Sequence, residues 1–341
     1  MNSSLRKMDG FTGQIAHLKI SLFEGKIGIK NFTLQSKVQV VNNNTSLNVE
    51  AITLNFKWRQ LIRRVVDVTI VLHNPQLFFV AEETSIELTE ASDLKKVVSP
   101  LKTTIEKLPR FITNVDLIDG EIRYLDPTSK PAWEIAIEKL NLRIENFSND
   151  QALSKICRIE CDFRLCQGEG KLNLVLHPMA IELTLAIEVE LKSINLVLMN
   201  NLFLAYGKID INSGLLDLSG KLAIAENSIK GYLYPNLRNM DFVSKADRAD
   251  PFVQKIRERI VAALFAVLIA NRKNRNGVMI PIEGRLDNPE LQNGVALRKI
   301  LQKAIIKAYI PSFKEILNFG SISSLTRAGL KGMARRILRN R

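Results

Sequence analysis

Ile181-Glu182-Leu183-Thr184-Leu185-Ala186-Ile187-Glu188-Val189-Glu190-Leu191 decides the fold. Six apolar side chains alternate with a polar series that only Ala186 softens. A helix would scatter these residues round its axis, whereas a strand sends them all to one side. The stretch is therefore a half-buried strand, with one apolar face and one wet face. The same grammar returns at Leu18/Ile20/Leu22, Val66/Val68/Ile70/Leu72, Trp133/Ile135/Ile137, Leu172/Leu174/Leu176 and Leu216/Leu218/Leu222/Ile224. Several strands change phase midway: Leu47/Val49 gives way to Ile52/Leu54/Phe56/Trp58, and Ile27/Ile29 to Phe32/Leu34. Each shift predicts a β-bulge or kink.

Turn residues punctuate the chain at Glu24-Gly25-Lys26, Asn42-Asn43-Asn44, Asp119-Gly120, Asp126-Pro127, Gly168-Glu169-Gly170, His177-Pro178 and Asn212-Ser213-Gly214. About a dozen strands result, most joined as hairpins or a meander. Helical spacing appears in three places. Leu94, Val97, Val98, Leu101, Ile105 and Leu108 form a stripe interrupted by Pro100. Asp250-Pro251 opens a second helix as cap and first residue. Leu297, Ile300, Leu301, Ala304, Ile305 and Ala308 mark a third. The expected fold is mainly β with some α: a long curved antiparallel sheet, groove-like, with a helical basic C-terminal end. Residues 1–249 would form the sheet with a helical insertion near 92–109. Residues 250–320 would form a helix–strand–helix closing region, and 321–341 a basic amphipathic tail.

The 341 residues, 46% of them hydrophobic, suffice for a substantial core and exclude general disorder. Charge is uneven. Residues 1–249 hold 30 Lys and Arg against 29 Asp and Glu, and residues 250–341 hold 18 against 6. Such asymmetry points to a polyanionic partner. The tail basic residues Arg327, Lys331, Arg335, Arg336, Arg339 and Arg341 stand among Ile322, Leu325, Leu330, Met333, Ile337 and Leu338 at helical spacing. This composition suits an amphipathic segment on an anionic membrane. Nucleic acid is disfavoured, because no aromatics interleave with the arginines and no recognised nucleic-acid motif is present.

No catalytic constellation emerges. His17 falls on a polar strand face, and His73 and His177 fall at strand ends, without the spacing of a metal site. Gly168-Glu169-Gly170-Lys171 is followed by Leu172 and a strand, so it reads as a hairpin turn and not a phosphate loop. Cys157 and Cys161 share the apolar parity and are expected to be buried. Asp116 and Asp119 read as capping and turn residues ahead of a strand. No enzyme, metal or cofactor is expected.

An apolar sheet face can close as a sandwich or stay partly open and hold lipid, and periodicity alone leaves both possible. Lipid would line Val66, Val68, Ile70, Leu72, Ile181, Leu183, Leu185, Ile187, Val189 and Leu191. The alternative is a structural or assembly factor docking a protein partner. No apolar run reaches the roughly 18–20 residues of a membrane-spanning helix, and Met1 to Lys7 does not begin a signal peptide. Read by itself the chain would be soluble and cytoplasmic.

Ordered segments change that expectation. Asp9-Gly10-Phe11-Thr12-Gly13-Gln14-Ile15, Leu18-Lys19-Ile20-Ser21-Leu22-Phe23-Glu24-Gly25, Phe56-Lys57-Trp58-Arg59-Gln60-Leu61 and Asn74-Pro75-Gln76-Leu77 come first. Asp119-Gly120-Glu121-Ile122, Leu204-Ala205-Tyr206-Gly207-Lys208-Ile209-Asp210, Gly231-Tyr232-Leu233-Tyr234-Pro235, Ile280-Pro281-Ile282-Glu283-Gly284 and Lys303-Ala304-Ile305-Ile306-Lys307-Ala308-Tyr309-Ile310-Pro311 follow. In this order the chain resembles the AsmA-like group of bacterial envelope proteins, in its branch of domains of unknown function. The resemblance implies a curved β-groove similar to the chorein-type lipid bridges and a non-enzymatic role in phospholipid transport or outer-membrane homeostasis. It also implies an inner-membrane anchor helix just before residue 1 and a chain facing the periplasm. A dozen strands at ~4.8 Å spacing give a groove of about 60 Å, shorter than an envelope.

Overall fold

The computed structural model describes residues 11–21, 23–37, 45–81, 110–149, 156–180, 184–207, 210–226, 228–243 and 279–285. They form one open, curved sheet of twelve strands in sequence order. The strands are β1 (Phe11–Ser21), β2 (Lys26–Ser36), β3 (Ser46–Phe56), β4 (Val66–Val80), β5 (Phe111–Asp126) and β6 (Trp133–Ser148). β7 (Cys157–Leu165), β8 (Gly168–Leu176), β9 (Leu185–Asn195), β10 (Asp210–Ala225), β11 (Ser228–Val243) and β12 (Ile280–Arg285) complete it. Every neighbouring pair is antiparallel except β4 and β5, which run parallel. Parallel neighbours need a long return connection, and Ala81 to Arg110 supplies one. Two short helices interrupt the meander: α1 (Trp58–Ile62) and α2 (Asn200–Gly207), the latter preceded by a 3-10 turn at Leu196–Met199. The expected helices near 92–109, after 250 and in 294–309, and the tail 321–341, lie outside the described residues.

The phase shifts are bulges. Asn31, Asn74, Asp119, Lys139, Ser193 and Asn239 have positive φ inside β2, β4, β5, β6, β9 and β11. An extra left-handed residue bends a strand and resets its alternation, so the parity changes while the apolar side stays the same. Ile29 and Phe32, on opposite sides of Asn31, both pack on the buried group Phe11, Ile15 and Leu34. Together the bulges draw a crease across the strands.

The crease corrects several expectations. Asp119-Gly120 and Asn212-Ser213-Gly214 do not separate strands; they lie within β5 and β10, where pairing is irregular. The β7–β8 turn is Cys166-Gln167, both with positive φ, and Gly168 to Gly170 already belong to β8. A side chain at Gly168 would come within 2.4 Å of the Lys192 carbonyl, so close approach to β9, not the turn, requires that glycine. Asp116 lies within β5 and pairs with Arg143 at 3.2 Å. His73 is inside β4, and Trp58 leaves the strand for α1.

The buried core is concentrated beyond the crease, at the end of the sheet that carries α2. Phe79, Ala81, Tyr124 and Trp133 receive Leu202 and Ala205 of α2. Ile194, Leu196, Ile211 and Leu237 receive Phe203 of the same helix, with Met199 before it. Each fully buried side chain of this size contributes about 1.5–3 kcal/mol. One turn-and-helix segment thus ties β4–β6 to β9–β11.

Candidate functional site: the open half of the apolar face

On the other side of the crease, strand pairing lines up two apolar rows across the whole sheet. The first is Ile20, Ile27, Leu54, Ile70, Val115, Ile144, Ile159, Leu174, Ile187, Leu222, Gly231 and Ile282, each opposite the next. The second is Leu18, Ile29, Ile52, Leu72, Leu117, Leu142, Cys161, Leu172, Val189, Gly220, Leu233 and Ile280. Neither row holds a charged or aromatic side chain. Residues opposite one another in a ladder share a face. At Gly220 an added Cβ would meet Leu233 Cδ2 at 2.6 Å and Val189 Cγ1 at 3.4 Å, so that gap in the second row is filled from its neighbours, while Gly231 leaves a gap in the first.

The row between them faces the other way and is mostly polar: Lys19, Gly28, Thr53, Val71, Asp116, Arg143, Glu160, Asn173, Glu188, Lys221, Tyr232 and Pro281. Cross-strand ion pairs tie it together, among them Arg143–Asp116 at 3.2 Å and Lys221–Glu188 at 2.6 Å. The Glu188 hydrogen bond and charge raise the Lys221 pKa above its ordinary value.

Burial separates the open half from the core. From Ile27 to Leu222 every side chain of the first row is only half-buried, and Ile20 on the edge strand is 46% exposed. By contrast Ile194, in the half under α2, is 1% exposed. Among the described residues, no element packs over the two rows. The chemistry on offer is therefore an open, mainly aliphatic strip about 53 Å long, at ~4.8 Å per strand step, backed by a charged outer face.

Of the residues expected to line a groove, Ile70 and Ile187 fall in the first row and Leu72 and Val189 in the second, roughly 24 Å apart across five strand steps. Leu185 continues the surface beside Leu176 and Ile224, Leu191 beside Leu218, and Val68 beside Phe56. Val66 opens β4 opposite Phe111. Ile181 and Leu183 lie outside the described residues, as do Arg327, Lys331, Arg335, Arg336, Arg339 and Arg341. Missing from the sequence reading were Val115, Leu117, Leu142 and Ile144, which carry the rows through the middle. Their strands contain the Asp119, Lys139 and Asn146 bulges, which hide the alternation.

Cys157 is fully buried and Cys161 is 9% exposed, as their parity predicts, and burial pushes both thiols up to about 11. His17, His73 and His177 are exposed. Among the described residues no three His, Cys, Asp or Glu side chains group as metal ligands. A shallow trough of about 590 Å³ follows the crease on the polar side, where Asn31, Asn74 and Asp119 border it with Glu121, Arg123 and Lys139. Arg123 there reaches both Glu121 and Glu134. No helix among the described residues is long and apolar enough to cross a membrane. No protein-family model matches the sequence, and no curated protein is significantly similar to it.

Proposed function

We propose that the protein holds phospholipid acyl chains along the open half of its apolar face and acts by binding or guiding lipid, without catalysis. The observation that carries this reading is the pair of rows that strand pairing continues from β1 to β12 without a charged or aromatic residue, aliphatic but for Gly231 in the first and Cys161 and Gly220 in the second, with the first-row side chains from Ile27 to Leu222 only half-buried. Leaving sixteen methylenes in water costs on the order of 13 kcal/mol, at ~0.8 per methylene, and a long aliphatic strip offsets that cost without demanding a shaped pocket. Together with the ordered AsmA-like segments, this supports a lipid-handling protein of the bacterial envelope, associated with the inner membrane, facing the periplasm and serving lipid transport or outer-membrane homeostasis.

The test is organic extraction and lipid mass spectrometry of the purified chain, with Ile70→Asp, Ile187→Asp and the outer-face control Asn173→Asp. Phospholipid in the parent and control, lost from folded row variants, is the expected result. A lipid-free parent would overturn the reading.

A second reading, an envelope assembly factor acting through protein contacts, draws on β1. This eleven-residue edge strand exposes Leu18 and Ile20 and has no neighbour on its outer side among the described residues. Such edges accept a partner's strand. Under that reading the purified chain is free of lipid and captures an extended peptide at β1.

A further inference from the structure

Each end of the sheet has its own character. At the end nearest the two open rows stand the β1–β2 turn, the β3–β4 connection with α1, and the start of β5. Exposed there are Lys26, Lys57, Arg59, Arg63, Arg64 and Arg110. The carboxylates in these segments are Glu24, which is exposed, and Asp67, which is buried and bonded to Lys57 at 3.1 Å. At the tip of the β1–β2 turn Phe23 is fully exposed, at 105%. The opposite end, from β2 to β6, exposes Lys37, Lys130 and Glu134 as charges among the described residues.

The rim is built, not frayed. The Phe56 N–H donates to the Gly25 carbonyl at 2.7 Å, fastening the turn to the end of β3. Gly25 has φ +63°, and a Cβ there would meet the Phe56 carbonyl at 2.5 Å and Trp58 Nε1 at 2.8 Å, so only glycine brings the turn this close. The Lys57 N–H donates to the Asp67 carbonyl at 3.0 Å, Val65 N–H to Gln60 at 3.0 Å, and Val66 N–H to Arg110 at 2.9 Å. Phe23 and the bases in and beside α1 are therefore held on one edge.

We propose that this rim docks the open side of the groove, along β1 to β5, on an anionic bilayer surface, with the bases at the headgroups and Phe23 inserted below them. A single exposed phenylalanine is ordinary on a protein surface. A phenylalanine at a fixed turn tip, beside six bases and alongside the β1–β5 part of an aliphatic strip, matches the bilayer's layering of anionic headgroup over hydrocarbon. A nucleic acid or an acidic peptide would use the bases but neither Phe23 nor the rows. The proposal rests on the lipid-holding reading, to which it adds the site of exchange.

The full chain is sedimented with phosphatidylcholine vesicles, with or without about one-third phosphatidylglycerol, at salt from about 50 to about 500 mM. Binding to the anionic vesicles that weakens with salt, and that falls at least tenfold in folded Arg59→Glu/Arg63→Glu/Arg64→Glu, is the expected result. Because the tail also carries bases, a locating measurement accompanies it. Phe23→Trp, in a Trp58→Phe/Trp133→Phe background, is expected to blue-shift and to be quenched by brominated lipid. Leu198→Trp at the opposite end, 49% exposed in the parent as Leu198, is expected to stay unquenched. Undiminished vesicle binding by the folded triple variant, or an unquenched Phe23→Trp, overturns the proposal. So does loss of duplex DNA or acidic-peptide binding in the triple variant with vesicle binding intact. Docking without extractable phospholipid supports the rim and removes the groove reading; extractable phospholipid without docking does the reverse.

Discussion

The two halves of the apolar face share a residue vocabulary and differ in cover. Under α2, Ile194, Leu196, Ile211 and Leu237 are sealed by Phe203 and Met199. Across the crease, Ile70, Ile187 and Leu222 present the same kind of side chain and are only half-buried. Composition therefore does not decide which half is core and which is surface. Cover does, and for the clusters on β4–β6 and β9–β11 that cover is the α2 segment.

That comparison breaks if the halves respond alike to substitution. Ile194→Ala is expected to cost about 3–4 kcal/mol in urea unfolding, through lost burial and the cavity left behind. Ile187→Ala is expected to cost about 1 kcal/mol or less, since water already reaches that side chain. Equal losses would mean the open rows are sealed in solution. Asp126→Ala tests the closed end next, with an expected cost of about 2 kcal/mol in the same assay. Its fully buried carboxylate accepts from the Thr128 and Ser129 N–H groups at 3.0 and 3.1 Å and from their hydroxyls at 2.7 and 2.6 Å.

Cys161 sharpens the comparison, because it lies in the second row. With its thiol pushed up to about 11 by burial and by Asp162, alkylation at pH 8 should be slow, and mass-resolved labelling should show it quickening severalfold once detergent strips bound lipid. Cys157 should not respond. The smallest effect is expected at the crease, where Asp217 meets Arg238 at 2.8 Å and the Ser193 N–H at 2.8 Å. Burial pushes the Asp217 carboxyl up, but hydrogen bonds from Arg238 and Ser193 outweigh it, and the net pKa is lowered. A lowered folded pKa contributes stability above the ordinary carboxylate value that is lost as pH falls through the folded one. Asp217→Asn should therefore cost less than about 1 kcal/mol at pH 7, with the difference fading under acid titration toward pH 3, as followed by urea unfolding.

Strand identity was legible because alternation is local: Leu172 to Leu176 and Leu185 to Leu191 need no tertiary knowledge. The bulge at Asn31 was equally legible, since Ile29 and Phe32 differ in parity. Asp119-Gly120 was not, because the residues that favour a left-handed bulge also favour a turn. Nor was α2: Leu202, Phe203 and Ala205 serve two clusters at once, an arrangement that no local period records. The parallel β4–β5 pair was hidden because alternation carries no strand direction. Continuity of the two rows is a property of register, and register emerges only when all twelve strands are laid side by side.

The most direct test places a photoreactive benzoylphenylalanine at Ile70, Ile187, Leu196 or Asn173 of the full chain, irradiates cells expressing it, and weighs the purified protein for phospholipid adducts. Adducts at Ile70 and Ile187, with none at Leu196 or on the outer face at Asn173, are the predicted result. Adducts absent from both open-row positions, or equally abundant at Asn173, would contradict the account.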